Sequence, residues 1–90
     1  MNEFRDNRGL NRFELDVGGQ IVWADYRRDA SDLIIDHVEA PMRLRGTGAA
    51  GELMQHIAAE ARGSALKIVP LCGYAASWLR RHREHAGLVA

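Results

Sequence analysis

The chain has 90 residues and is 47% hydrophobic, enough to build one compact core and too little for two. Twelve Lys and Arg balance twelve Asp and Glu, which argues against general nucleic-acid binding, a task that needs surplus positive charge. No apolar run approaches a membrane span, and residues 1–11 lack the apolar region of a signal peptide, so a cytoplasmic protein with no membrane partner is expected.

Residues 1–11 are polar and carry both signs of charge; they read as a flexible arm ahead of a single domain over 12–90. Arg12 to Val17 alternates polar and apolar residues, the pattern of a half-buried strand. Gly18-Gly19 is a two-residue hairpin signal, and Gln20 to Tyr26 reads as the returning strand. Arg27 to Ser31 is a polar turn, and Asp32 to Glu39 reads as a third strand through Leu33, Ile34, Ile35 and Val38. Pro41 stops it, since proline has no N–H for a ladder. From Gly48 to Arg62 the period changes. Ala50, Leu53, Met54, Ile57, Ala58 and Ala61 recur at three and four residues, one apolar helix face closed by Gly63. Ala65 to Val69 is a short buried-type strand ended by Pro70. A second helix runs from Gly73 to about His85, with Tyr74, Trp78, Leu79 and His82 on one side. The fold class is α+β: an antiparallel meander, then a glycine loop, a helix, a strand and a helix. Trp23 and Trp78 are expected in the core, and His82 and His85 at the surface.

The glycine loop, Pro41 to Ala50, holds the clearest chemistry. Gly46 and Gly48 let backbone N–H groups crowd around an anion, at the start of a helix whose positive end favours the same ligand. Arg43 and Arg45 add positive charge. A phosphate or pyrophosphate is the natural ligand. Gly46-Thr47-Gly48-Ala49-Ala50-Gly51 also matches G-x-G-x-x-G, but the dinucleotide reading needs the loop after the first strand of a parallel βαβ unit and an acidic residue about 20 positions on; here the loop follows what reads as an antiparallel meander, and the next strand ends at Val69-Pro70-Leu71 with no Asp or Glu. The P-loop reading fails because no Lys-Ser or Lys-Thr follows the glycines. Arg80, Arg81 and Arg83 form a basic cluster, read as a solvated helix face or as a further phosphate contact. Cys72 stands alone, so no intramolecular disulfide forms. With no C-x-x-C or H-E-x-x-H, no metal site is expected.

Arg43-x-x-Gly46-x-Gly48 resembles the R/Q-x-x-G-x-G/A signature of the GNAT N-acetyltransferase superfamily, and the meander before the loop matches its context. Further landmarks resemble its very small, single-domain, YjdJ-type members: His37-x-Glu39-x-Pro41, Arg45-Gly46-x-Gly48, Ala61-Arg62, Pro70-x-Cys72-x-Tyr74 and His82-x-Glu84. The resemblance covers Phe13 to Leu88. It implies a minimal GNAT fold and transfer of an acetyl group from acetyl-CoA to a primary amine. The coenzyme A pyrophosphate would lie on Arg43, Leu44, Arg45, Gly46, Thr47, Gly48 and Ala49. Cys72 would sit near the acyl arm, His37 or Glu39 would accept the amine proton, and Tyr74 would protonate the departing thiolate. Two departures concern substrate contacts. Val38 stands where family members often carry a threonine, and His85 where they often carry a tyrosine. The N-terminal helices that usually help form the acceptor site have no counterpart. That absence leaves a second reading, a non-catalytic CoA-binding or regulatory module, beside the enzyme; a weaker third, a nucleotide-binding fragment, predicts NAD or ATP binding instead. A sheet edge is open to homodimer formation.

Overall fold

A computed structural model gives the structure of residues 2–90. Five strands, β1 (Glu3–Asn7), β2 (Arg12–Val17), β3 (Gln20–Asp29), β4 (Asp32–Glu39) and β5 (Lys67–Pro70), lie side by side in chain order. The first four are antiparallel and β5 runs parallel to β4. A parallel pair cannot be closed by a hairpin, and helix α1 (Ala49–Gly63) makes the crossover. Helix α2 (Gly73–Arg81) follows β5, and 3-10 segments of one and two turns occupy Met42–Leu44 and Arg83–Leu88.

The core lies between the sheet and α1. Leu53, Met54, Ile57, Ala58 and Ala61 of α1 are fully buried, as are Phe13, Leu15, Val22, Ala24, Leu33, Ile35 and Ile68 of the strands. The helical period read from the sequence therefore marks the packed face, where truncating one leucine to alanine costs about 2–5 kcal/mol. Helix α2 joins the same core through Ala75, Trp78 and Leu79. Its contact with α1 is close at Gly51: a Cβ there would lie 3.3 Å from Trp78 Nε1 and 3.8 Å from the Tyr74 hydroxyl.

Several expectations need correction. The segment read as part of a loose arm forms β1, in register with β2 from Glu3–Asp16 to Asn7–Arg12. Phe4 anchors it by stacking on Phe13 and His56. The strand expected to end at Tyr26 continues to Asp29, so the turn shrinks to Ala30-Ser31. The second helix stops at Arg81, and the chain re-forms as the 3-10 turn that ends at Leu88. His85 is buried: its Nε2 lies 2.9 Å from Gln55 Oε1, and Arg62 Nη2 donates to its Nδ1 at 3.3 Å. His82 is half-buried, stacked 3.8 Å from Trp78. Trp78 is in the core, but Trp23 is not. It lies half-exposed on the other face of the sheet, beneath the Arg12 guanidinium at 5.1 Å from its ring centre.

That other face carries no helix among the described residues. Alternation along the strands places Arg5, Glu14, Trp23 and Asp25 on it, opposite the buried Phe13, Val22 and Ala24. Glu14 is nevertheless only 2% exposed. Arg5 Nε donates to one of its oxygens at 2.7 Å, and Arg12 Nε and Asn7 Nδ2 donate to the other at 2.6 and 3.1 Å.

Candidate functional site

The site begins with an irregularity in β4. Asp25 of β3 faces His37 while Tyr26 faces Ile35, so Asp36 is an extra residue, a β-bulge. Its carboxylate is held by both Nε and Nη2 of Arg27, at 2.8 and 2.7 Å. The bulge resets the alternation: Val38 returns to the helix side, opposite buried Ala24, and His37 and Glu39 turn to the helix-free side. It also bends the strand. Pairing between β4 and β5 ends at Ile35–Pro70, and the Ile35 carbonyl accepts from the amides of both Leu71 (3.0 Å) and Cys72 (3.3 Å). Beyond that point β4 pairs with β3 alone, so its other edge opens over Asp36 to Glu39.

A cleft of about 420 Å³ occupies this opening. Its walls are Val38, Glu39 and Ala40 at the end of β4, Leu44, Arg45, Gly46 and Gly48 of the loop, Ala50 and Gly51 of α1, and Tyr74 of α2. The volume suits a small-molecule ligand. The loop's own hydrogen bonds decide which amides face it. Leu44 N–H donates to Pro41, Arg45 N–H to Met42 and Thr47 N–H to Leu44. Thr47 Oγ1 donates to the Leu44 carbonyl at 2.5 Å and accepts from Ala49 N–H at 3.3 Å. The amides of Gly46 and Gly48 take part in none of these bonds. Both glycines have left-handed backbones, φ +78° and +90°, and Gly48 is the N-cap of α1. With the amides of Ala50 and Gly51 at the start of α1 they make a set of backbone N–H groups of the kind that suits an anion.

The residues singled out in the sequence separate into those that line this cleft and those that support it. Leu44, Arg45, Gly46, Gly48, Glu39 and Tyr74 line it; Arg43, Thr47, Ala49, His37 and Cys72 do not. Arg43 is exposed, Thr47 fixes the shape of the loop, and buried Ala49 packs under it. Cys72 is the N-cap residue of α2, half-buried against the core. Ala50 and Gly51 were missed as site residues. The signal was available: the same spacing recurs two residues on as Arg45-x-x-Gly48-x-Ala50, and this register coincides with the start of α1. Arg80 and Arg83 line a separate cleft of about 330 Å³ beneath α2, with Pro70, Leu79 and Val89.

One chain of polar contacts joins the loop to the strand. Arg45 Nη2 donates to Glu39 Oε2 at 3.0 Å, its Nε donates to the Ala40 carbonyl at 3.2 Å, and His37 Nε2 lies 2.8 Å from Glu39 Oε1. The bond from His37, then that from Arg45, holds the Glu39 carboxyl below its usual range against the opposing effect of partial burial. Glu39 is thus an ionised acceptor at neutral pH, so His37 Nε2 carries the proton and Nδ1 is the basic nitrogen. Burial raises the Tyr74 hydroxyl above its ordinary value, only partly offset by Arg81, so it stays protonated. No helix is long and apolar enough to cross a membrane, and no trio of metal-ligating side chains occurs, among the described residues.

No curated protein matches the chain. The model of the GCN5-related N-acetyl-transferase family matches it over residues 12–88, from the start of β2 to the last 3-10 turn. The cleft, the glycine cradle and the diverging strands all fall within that span, and the chain belongs to the GCN5-related N-acetyltransferase family.

Proposed function

We propose that this domain binds acetyl-CoA as cosubstrate and passes its acetyl group to a primary amine. The observation that carries this reading is the cradle of Gly46, Gly48 and the first turn of α1, opening into a cleft along the free edge of β4. The cradle suits a diphosphate and the Leu44, Val38 and Ala50 walls suit a largely apolar arm. The free backbone groups of β4 suit an amide-bearing chain laid along the strand.

The amine nitrogen attacks the thioester carbonyl, the C–S bond breaks, and the thiolate leaves. His37 Nδ1 accepts the proton lost by the amine, and Tyr74 donates one to the sulfur. Glu39 is a weaker base than sequence position alone implies, because two donors hold it ionised. Direct transfer is favoured over an acyl-enzyme on Cys72, since Tyr74 lines the cleft and Cys72 does not.

Thermal unfolding with acetyl-CoA, CoA, NAD and ATP tests the cosubstrate. A ligand at a hundred times its dissociation constant adds about 2.7 kcal/mol, or on the order of 10 °C for a domain of this size. The expected result is a shift with CoA and acetyl-CoA alone; a shift only with NAD or ATP, or none, overturns the reading. Release of free thiol in the presence of a panel of amines then tests the transfer. Binding without thiol release from any amine would favour the non-catalytic CoA-binding module.

A further inference from the structure

The contact chain from Arg45 through Glu39 to His37 links two parts of the site that have separate tasks. Arg45 belongs to the loop that cradles the anion, whereas His37 lies on the helix-free side of β4. A single carboxylate connects them, one oxygen to each partner. We infer that Arg45 couples occupancy of the phosphate loop to the proton affinity of His37, with Glu39 as the positioning residue between them.

The coupling follows from competition for one charge. In the free protein the guanidinium shares Glu39 and weakens the carboxylate's pull on the imidazole. An anion seated at Gly46 and Gly48 offers Arg45 a second acceptor and offsets its positive charge. Glu39 then acts on His37 with less opposition, and His37 becomes a stronger base once the loop is filled. The other charges around His37 do not change in this exchange. Asp25 lies directly across from it on β3, with Arg12 beyond on β2, and Asp36 on β4 is held by Arg27.

The coupling half of this inference rests on the loop taking the diphosphate of CoA; the relay itself does not. The test is the ring titration of His37 by 15N NMR in the full chain, assigned with His37→Asn. In the free wild type the Nε2–H tautomer is expected. Glu39→Ala removes that preference and lowers the midpoint by about half to one pH unit, within the spread of measured histidines. Arg45→Met raises the midpoint by about half a unit, and Arg45→Lys returns it toward wild type because the charge is kept. All three residues are partly exposed, so the variants should fold, and their amide spectra check it. At CoA levels that saturate the Gly46 and Gly48 amide shifts in both proteins, CoA should raise the midpoint more in wild type than in Arg45→Met. Equal midpoints in free wild type and Arg45→Met, or an equal CoA effect in both, overturn the inference. If CoA leaves the Gly46 and Gly48 amide signals unmoved, the cosubstrate reading falls instead, and the free-protein comparison still decides the relay.

Discussion

Glu14 shows how one side chain can hold a sheet face that no helix covers. Burial alone would raise its carboxyl, but the bonds from Arg12, Arg5 and Asn7 outweigh it and bring the value below the ordinary 4.5. A group lowered on folding contributes stability above its unfolded value and loses it as pH falls through its folded value. Glu14→Gln should therefore cost about 1–3 kcal/mol at pH 7. Urea unfolding as a function of pH should show that difference shrinking below the ordinary carboxylate range; a difference independent of pH would refute the assignment. The alternating pattern from Arg12 to Val17 marked the strand but not the burial of Glu14, since its partners Arg5 and Asn7 lie in a segment that looked unstructured. At the reacting centre of the proposed transfer, Tyr74→Phe should lower kcat about 100-fold or more if Tyr74 protonates the thiolate. Cys72→Ala should leave turnover within a few-fold of wild type. A loss of turnover in the cysteine variant with no loss of stability would restore the acyl-enzyme route.

The elements carry the site through two local departures from regularity. Gly48 caps α1 with φ +90°, and a Cβ there meets open space, so the only cost of a side chain is backbone strain. Gly48→Ala should lose about 1–2 kcal/mol. A domain of this size would then melt about 4–16 °C lower, with CoA binding weakened in parallel. The second departure is the bulge at Asp36. Removing that residue would restore continuous pairing of β3 with β4 and let β4 run on beside β5, closing the cleft. The expected outcome for the deletion is an intact far-ultraviolet spectrum with the CoA-induced thermal shift abolished; a retained shift would show that the opening does not depend on the bulge. The glycine signal was plain in the sequence because few other residues reach a left-handed backbone. The bulge was not, because Leu33, Ile34, Ile35 and Val38 read equally well as an unbroken apolar strand, and only pairing with β3 reveals the extra residue.

At the scale of the whole molecule, local pattern told the order of elements and the α1 face, because both follow from periodicity. What it left out depends on distant partners. The stacking of Phe4 on Phe13 and His56 makes β1, and Gln55 and Arg62 draw His85 inward. Both helices pack on one side of the sheet, and the cradle lies there with them, while His37 looks out from the other side. In the proposed reaction the sheet would stand between donor and acceptor as a partition, open where β4 and β5 part. Neither substrate need wait for the other to enter or leave. Initial-rate measurements should give intersecting lines in double-reciprocal plots, with each product a competitive inhibitor of its own substrate. Parallel lines would mean instead that the acetyl group rests on the protein between the two substrates, as it would on Cys72.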